Sequence, residues 1–410
     1  MIISETVGIW YIKNKLTVGA GKLDDAIFVF RFSVFAAILN IISIPYQGLI
    51  TALEKFSVRA TIEIFRSVLN IILVLLLGFF VAEAFRIYAV MMAGLALIST
   101  VLFVLYCRIF YRSFVFWKIQ NEKAKYQEMI AFSGWTMIGA AGQVGKDTGS
   151  QLIINVFFGT ILNASFGIAN SLNSFVKFFA SNLGQAAIPQ ITKSYSRGDH
   201  DRTKNLVTYI SKYSFFLMYF PALPLILETR FVLELWLGEV PAYSVAFCRL
   251  MLFNGLVDSF MAGVPAAAQA SGKIKWFQLS MSVIMVLSLP VSYWLFKIGL
   301  PPFSIIIAYI TTSAINVFVS IYLLKRVINF DVHFLLKNSY CKIVMVFLTT
   351  IPLFFISKIF DVNIGSFAII ILASSLWLIA SIFLLGLERK EKAVLFDFVS
   401  SRLKKFNKVK

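Results

Sequence analysis

Six charged residues stand where charge is hardest to keep. Arg31, Lys146, Asp147, Lys177, Arg249 and Asp258 all fall inside or at the edge of long apolar runs. An ionisable side chain within a bilayer costs roughly 2.5–3.5 kcal/mol on insertion scales, so such residues face a cavity or a partner. Gln143, Lys146, Asp147 and Ser150 follow the spacing of one helix face. A longer seam comes next: Asn163, Gly167, Asn170, Ser174, Lys177, Ser181 and Gln185 recur at helical steps through Phe, Ala, Leu and Val. A helix lining an aqueous cavity has a use for such a seam, and a lipid-facing helix has none. The chemistry these residues offer is binding. Lys177, Lys146, Arg249, Arg31, Asn170 and Ser174 are the expected substrate contacts, and their cations outnumber the nearby acids, which favours an anionic substrate. Asp147 and Asp258 are the expected sites of protonation or cation coupling. Two plainer roles compete. Lys177 and Asp147 could pair as internal cement, and the 143–150 face could be a helix contact opened by Gly142, Gly145 and Gly149.

Other chemistry finds little support. His200 and His333 are far apart, and Cys107, Cys248 and Cys341 are scattered, so neither a metal set nor a disulfide framework is indicated. Three Gly-Lys pairs, at Lys22, Lys146 and Lys273, lack the earlier glycine and following hydroxyl of a phosphate-binding loop. No cofactor is implied beyond a coupling H⁺ or Na⁺.

The elements that must position these residues are set by composition. Hydrophobic residues make up 59% of the chain and charged ones 14%, with a mean hydropathy of +0.83. Soluble domains sit nearer 45–50% and ~25%. Apolar runs long enough to cross ~30 Å of hydrocarbon recur throughout. The expected fold is therefore all-α and polytopic, with about eleven spans: 26–50, 62–82, 87–107, 129–158, 163–187, 213–227, 243–269, 276–296, 303–324, 340–360 and 364–387. The 213–227 span is short unless it extends toward Trp236. Of the 38 Lys and Arg, 26 fall in one set of alternating loops and 7 in the other. By the positive-inside rule the richer set is cytoplasmic, which puts the C-terminus inside and the N-terminus of this chain outside. The net charge of +18 then reads as topology and contact with anionic membrane lipids, with no nucleic acid involved.

Two stretches look alike at an offset of about 220 residues. Pro45 leads through Leu53-Glu54-Lys55 into a second apolar helix, and Pro265 leads through Ser271-Gly272-Lys273 into another. An offset of about six spans suits two lobes related by an axis along the membrane normal. The expected organisation is a partial N-terminal lobe (1–107), a basic cytoplasmic connection (108–128) and a six-helix lobe (129–325). A cytoplasmic loop with a final helix pair (326–387) and a basic tail (388–410) complete it. In the first lobe, Glu63 and Arg66 are three apart on one helix face, where they either neutralise each other or face a cavity.

FSGW (132–135), NVFFG (155–159), PQITKSYSRGD (189–199), LETRFVLELWLGEVP (227–241), AAQASGKIK (267–275) and SIPYQGLITALEKFS (43–57) give the chain a family character. Together they resemble the bacterial polysaccharide transporters, the flippases of O-antigen and related lipid-linked oligosaccharides. The superfamily also holds multidrug-and-toxin extruders and peptidoglycan-lipid flippases. The resemblance implies two six-helix lobes in a V around a central cavity, followed by a helix pair. It also implies movement of an undecaprenyl-pyrophosphate-linked sugar unit between leaflets of a bacterial inner membrane, alongside other polysaccharide-assembly proteins. No site residue is carried over from the family. Its members have about fourteen spans with both termini inside, so the opening MIISETVGIWYI resembles the end of a third helix. A truncated or displaced start and an incomplete first lobe are the expectation.

Two rivals stand beside the flippase. A multidrug or toxic-cation exporter of the same superfamily calls for an acidic cavity. A membrane glycosyltransferase or polysaccharide polymerase calls for a sizeable external loop carrying Arg or His. The chain is expected to be a transporter and not an enzyme.

Overall fold

The structure is a computed structural model that describes residues 6, 8–10, 23–78, 84–115, 122–356, 364–389 and 391–393. Of the opening MIISETVGIWYI only residues 6 and 8–10 are among these, and the basic tail beyond 393 lies outside the described residues. Among the described residues there is no strand, and ten helices are long and apolar enough to cross a membrane. One of them, Lys123–Ser196, runs for 74 residues. At 1.5 Å per residue that is roughly four times the ~30 Å hydrocarbon core. Its backbone leaves helical geometry at Gly159, with φ 79° and ψ −173°. The run is therefore two crossing segments, and the described residues hold eleven. The protein is an all-α, multi-pass membrane protein.

The chain divides into two compact units, 1–121 and 122–410. The first contains α1 (Leu23–Ala52), α2 (Phe56–Leu77) and α3 (Ala84–Phe110). Tyr46, Ile50, Ile62, Phe103 and Cys107 form its buried centre. Polar groups tie α3 to α1 without needing water: the Thr100 hydroxyl donates to the Leu39 carbonyl at 3.1 Å, and the Cys107 thiol reaches the Tyr46 carbonyl at 3.7 Å. Ile64, Ile71 and Leu75 on α2 are exposed, as a helix solvated by lipid requires. Glu63 and Arg66 sit 4.0 Å apart on the same helix. After Pro45, α1 ends in a left-handed turn at Glu54 (φ 58°), whose amide bonds Thr51 while that of Lys55 bonds Ile50. This double bond is the Schellman closure, which normally uses glycine.

In the second unit the long run supplies α4 (123–158) and α5 (160–196). Then come α6 (His200–Leu227), α7 (Thr229–Leu237), α8 (Ser244–Ser259), α9 (Val264–Ala270), α10 (Lys275–Lys297) and α11 (Ser304–Ile328). Two further spans, α12 (Val332–Phe355) and α13 (Gly365–Gly386), each contain a π-helical stretch. The turn after α9 repeats the left-handed residue before a lysine, here Gly272 at φ 71° before Lys273. Gly142 and Gly149 press α4 against α10. A Cβ on either would come within 2.8 Å of Ser282 or Leu289, whereas Gly145 meets nothing within 4 Å. Ser282 closes the same contact by donating to the Ile138 carbonyl at 3.1 Å. Around the Gly159 break, Phe157 and Phe158 pack on Phe296 at ring distances of 5.6 and 4.8 Å, which anchors NVFFG to the end of α10.

One expected boundary moves. α6 begins at His200, well before residue 213, because Asp199 caps it by accepting the Arg202 amide at 3.0 Å. Lys212, counted as a loop cation, is consequently buried on α6. Its ammonium meets both carboxylate oxygens of Glu391, at 2.6 and 2.7 Å. The 243–269 span is also interrupted, as α8 and α9 are separate helices.

Candidate functional site

The apolar core of the second unit contains a polar cluster contributed by α4, α5, α8 and α11. From α4, Lys146 is 6% exposed, and its ammonium lies 3.9 Å from the centre of the Tyr309 ring on α11. A cation over an aromatic face is stabilised by the ring quadrupole, increasingly so away from water. The Tyr309 hydroxyl donates to Ser150, one turn further along α4. Lys146 and Ser150 thus grip the face and the edge of a single tyrosine. Gln143 and Asp147, on the same face by spacing, turn to the outer side, where the Gln143 amide donates to Asp147 at 2.9 Å.

From α5, the Lys177 ammonium donates to Asp258 Oδ2 on α8 at 2.8 Å, with the two side chains 40% and 32% exposed. The partner of Lys177 is therefore Asp258 and not Asp147. Lys146 and Ser313 of α11 are near enough to act on Asp258 electrostatically. Ser313 also donates to Asn254 Oδ1, one turn before Asp258, at 3.0 Å. Asn173, four residues before Lys177, is buried, and its side-chain oxygen meets no donor among the described residues. Gly255 makes room here: a Cβ there would fall 2.5 Å from Asn173 Oδ1 and 3.3 Å from Lys177 Cε.

The expected contacts separate into those the fold gathers and those it does not. Lys146, Lys177 and Asp258 come together, with Asp147 on the rim. Asn170 is half-buried and Ser174 exposed on the open side of α5, in line with Lys177. Arg249 is used elsewhere. Its guanidinium donates to the Ile226 and Leu227 carbonyls at 3.0 and 3.2 Å, capping the end of α6. Arg31 is exposed on α1, in the other unit. The cluster therefore carries two lysines and two aspartates, a balance rather than the cationic surplus expected from the sequence. The contributions of Asn173, Asn254, Tyr309 and Ser313 were missed. Tyr309, Ser313, Asn316 and Ser320 recur along α11 at the same helical steps that marked α5, and all four are buried.

Outside the spans, burial pushes the Glu228 carboxyl above its usual range, partly offset by Arg249. At Glu391 burial also pushes upward, but the Glu388 amide, the Lys212 ammonium and the Tyr213 hydroxyl outweigh it and hold the carboxyl below its usual range.

No protein-family model and no curated protein sequence matches the chain. Among solved structures it resembles one described as a crystal structure of MATE in complex with MaL6. The TM-score is 0.65 and the identity 13%, over 82% of this chain and 77% of that one. At that identity the likeness is one of fold.

Proposed function

We propose that the protein is an alternating-access transporter that flips a lipid-linked anionic oligosaccharide, the leading candidate being an undecaprenyl-pyrophosphate-linked repeat unit. It performs no covalent chemistry. The single observation that carries this is the Lys177–Asp258 pair, held among apolar helices yet partly open, with the buried Lys146 beside it. Groups so placed mark substrate or ion pathways. Asp258 is already occupied by a tethered ammonium, so a permeant cation would have to displace Lys177. Lys146 is held by an aromatic face and, among the described residues, meets no carboxylate within ion-pair distance, which leaves its charge to a phosphate. Release of Asp258 from Lys177, on protonation or arrival of a cation, would couple substrate movement to an ion gradient.

The fold likeness to a MATE protein favours a second reading, an exporter of small organic cations with Asp258 as the coupling acid. One experiment separates the two. The chain is expressed in a flippase-deficient strain carrying the matching glycan pathway, and surface polysaccharide and drug susceptibility are measured with membrane protein levels checked. Restored polysaccharide that Lys177→Gln abolishes at equal expression supports the flippase. Drug resistance without polysaccharide supports the exporter.

A further inference from the structure

We infer that the basic-loop end of the second unit holds a binding site for the phosphate of an acidic membrane lipid, between the start of α10 and the end of α11. A cavity of about 720 Å³ opens there, lined by Lys273, Lys275, Trp276, Tyr322, Arg326 and their neighbours Leu323 and Val327. That volume suits a headgroup with the start of its acyl chains. Three cations line it and, among the described residues, no carboxylate does. Among the described residues, none of the three forms an ion pair, although the unit contains many acids that pair elsewhere.

Aromatic side chains already hold these cations in place. The Lys275 ammonium lies 5.2 Å from the Trp135 ring and 5.4 Å from that of Trp276. The Arg326 guanidinium stands 5.8 Å from the Tyr322 ring and donates to that residue's hydroxyl. One bond uses little of a guanidinium, which has five N–H donors in a fork matched to phosphate. Ile274, at the N-cap of α10, gives the first turn no side-chain acceptor. Trp276 and Tyr322 are themselves more than half exposed. Tryptophan and tyrosine beside lysine and arginine at the ends of spanning helices are placed at headgroup level. A soluble phosphate needs only the cations, whereas a lipid phosphate also uses the aromatic wall.

This site lies apart from the Lys177–Asp258 cluster, and its test does not depend on what the protein transports. The purified full chain in mixed micelles is titrated with brominated phosphatidylglycerol or brominated phosphatidylcholine, with tryptophan quenching as the readout. Phosphatidylglycerol should quench at a lower mole fraction, and Lys275→Gln/Arg326→Gln should weaken that preference by about tenfold or more. Lys297→Gln, an exposed cation at the other end of α10, should leave it intact, and Trp276→Phe should remove much of the signal. All these positions are exposed, so folding is spared. Equal quenching by both lipids, or a preference surviving the double substitution, would overturn the site. Full displacement of the lipid by millimolar inorganic phosphate would reassign it to a soluble ligand.

Discussion

Lys212 and Glu391 form the most deeply buried ion pair among the described residues, with side chains 0% and 8% exposed. Tyr213 donates a further bond to Glu391 at 2.9 Å, and Lys342 pairs with Glu388 at 2.7 Å beside it. The segment after the last span is thereby tied to α6 and α12. Removing one member of a buried pair leaves the other uncompensated, at roughly 3–5 kcal/mol. Glu391→Gln should therefore lower the thermal midpoint of the purified protein at pH 7; an unchanged midpoint would show that the segment is not a clasp. The pH dependence has a definite sign. A carboxyl held below its usual range adds stability above that range, ~4.3, and loses it as pH falls through the lower folded value. The wild type should weaken on acidification below pH ~4, and Glu391→Gln should show less of that decline. Neither partner announced the other in the sequence, because helical spacing reports only neighbours on one element. The same limit hid the match of Lys177 with Asp258, which is 81 residues away.

At the scale of elements, apolar length was the most legible signal, and the eleven crossing segments follow from it. Polar periodicity was next: the small-residue face of α4 packs on α10 through Gly142 and Gly149, and the seam on α5 carries Lys177, which meets Asp258. Boundaries set by caps were harder, since the Asp199 cap and the buried Lys212 extend α6 into a stretch that reads as a basic loop. The break between α4 and α5 rests on Gly159, whose backbone lies in a region essentially closed to residues with a Cβ. Gly159→Ala should cost about 1–3 kcal/mol and lower the thermal midpoint, although a Cβ would meet no neighbour. A neutral result would mean that the turn tolerates another conformation. Glu54 is the opposite case, a non-glycine in a left-handed turn, so Glu54→Gly should stabilise by a few tenths to about 1 kcal/mol.

For the whole molecule, the central question is whether a charge-balanced cluster inside an apolar unit moves an anion across the membrane. The sequence marked most of the residues and overestimated their positive surplus, because it could not show Arg249 capping α6. On the proposed reading, Lys146 and Lys177 are the cations a phosphate would meet, and Asp258 is the group that would hold Lys177 until substrate arrives. Neutralising Asp258 should then free Lys177 and disturb coupling, whereas neutralising Lys177 should remove the substrate contact itself. The most direct measurement is leaflet exchange of a fluorescent undecaprenyl-pyrophosphate-linked sugar in vesicles reconstituted with the purified chain. The wild type should exchange the lipid, and Lys177→Gln, equally folded and reconstituted, should slow exchange about tenfold or more, the scale of one lost charged hydrogen bond. Equal exchange by the two proteins, or none above protein-free vesicles, would contradict the assignment of this cluster to lipid-linked oligosaccharide transport.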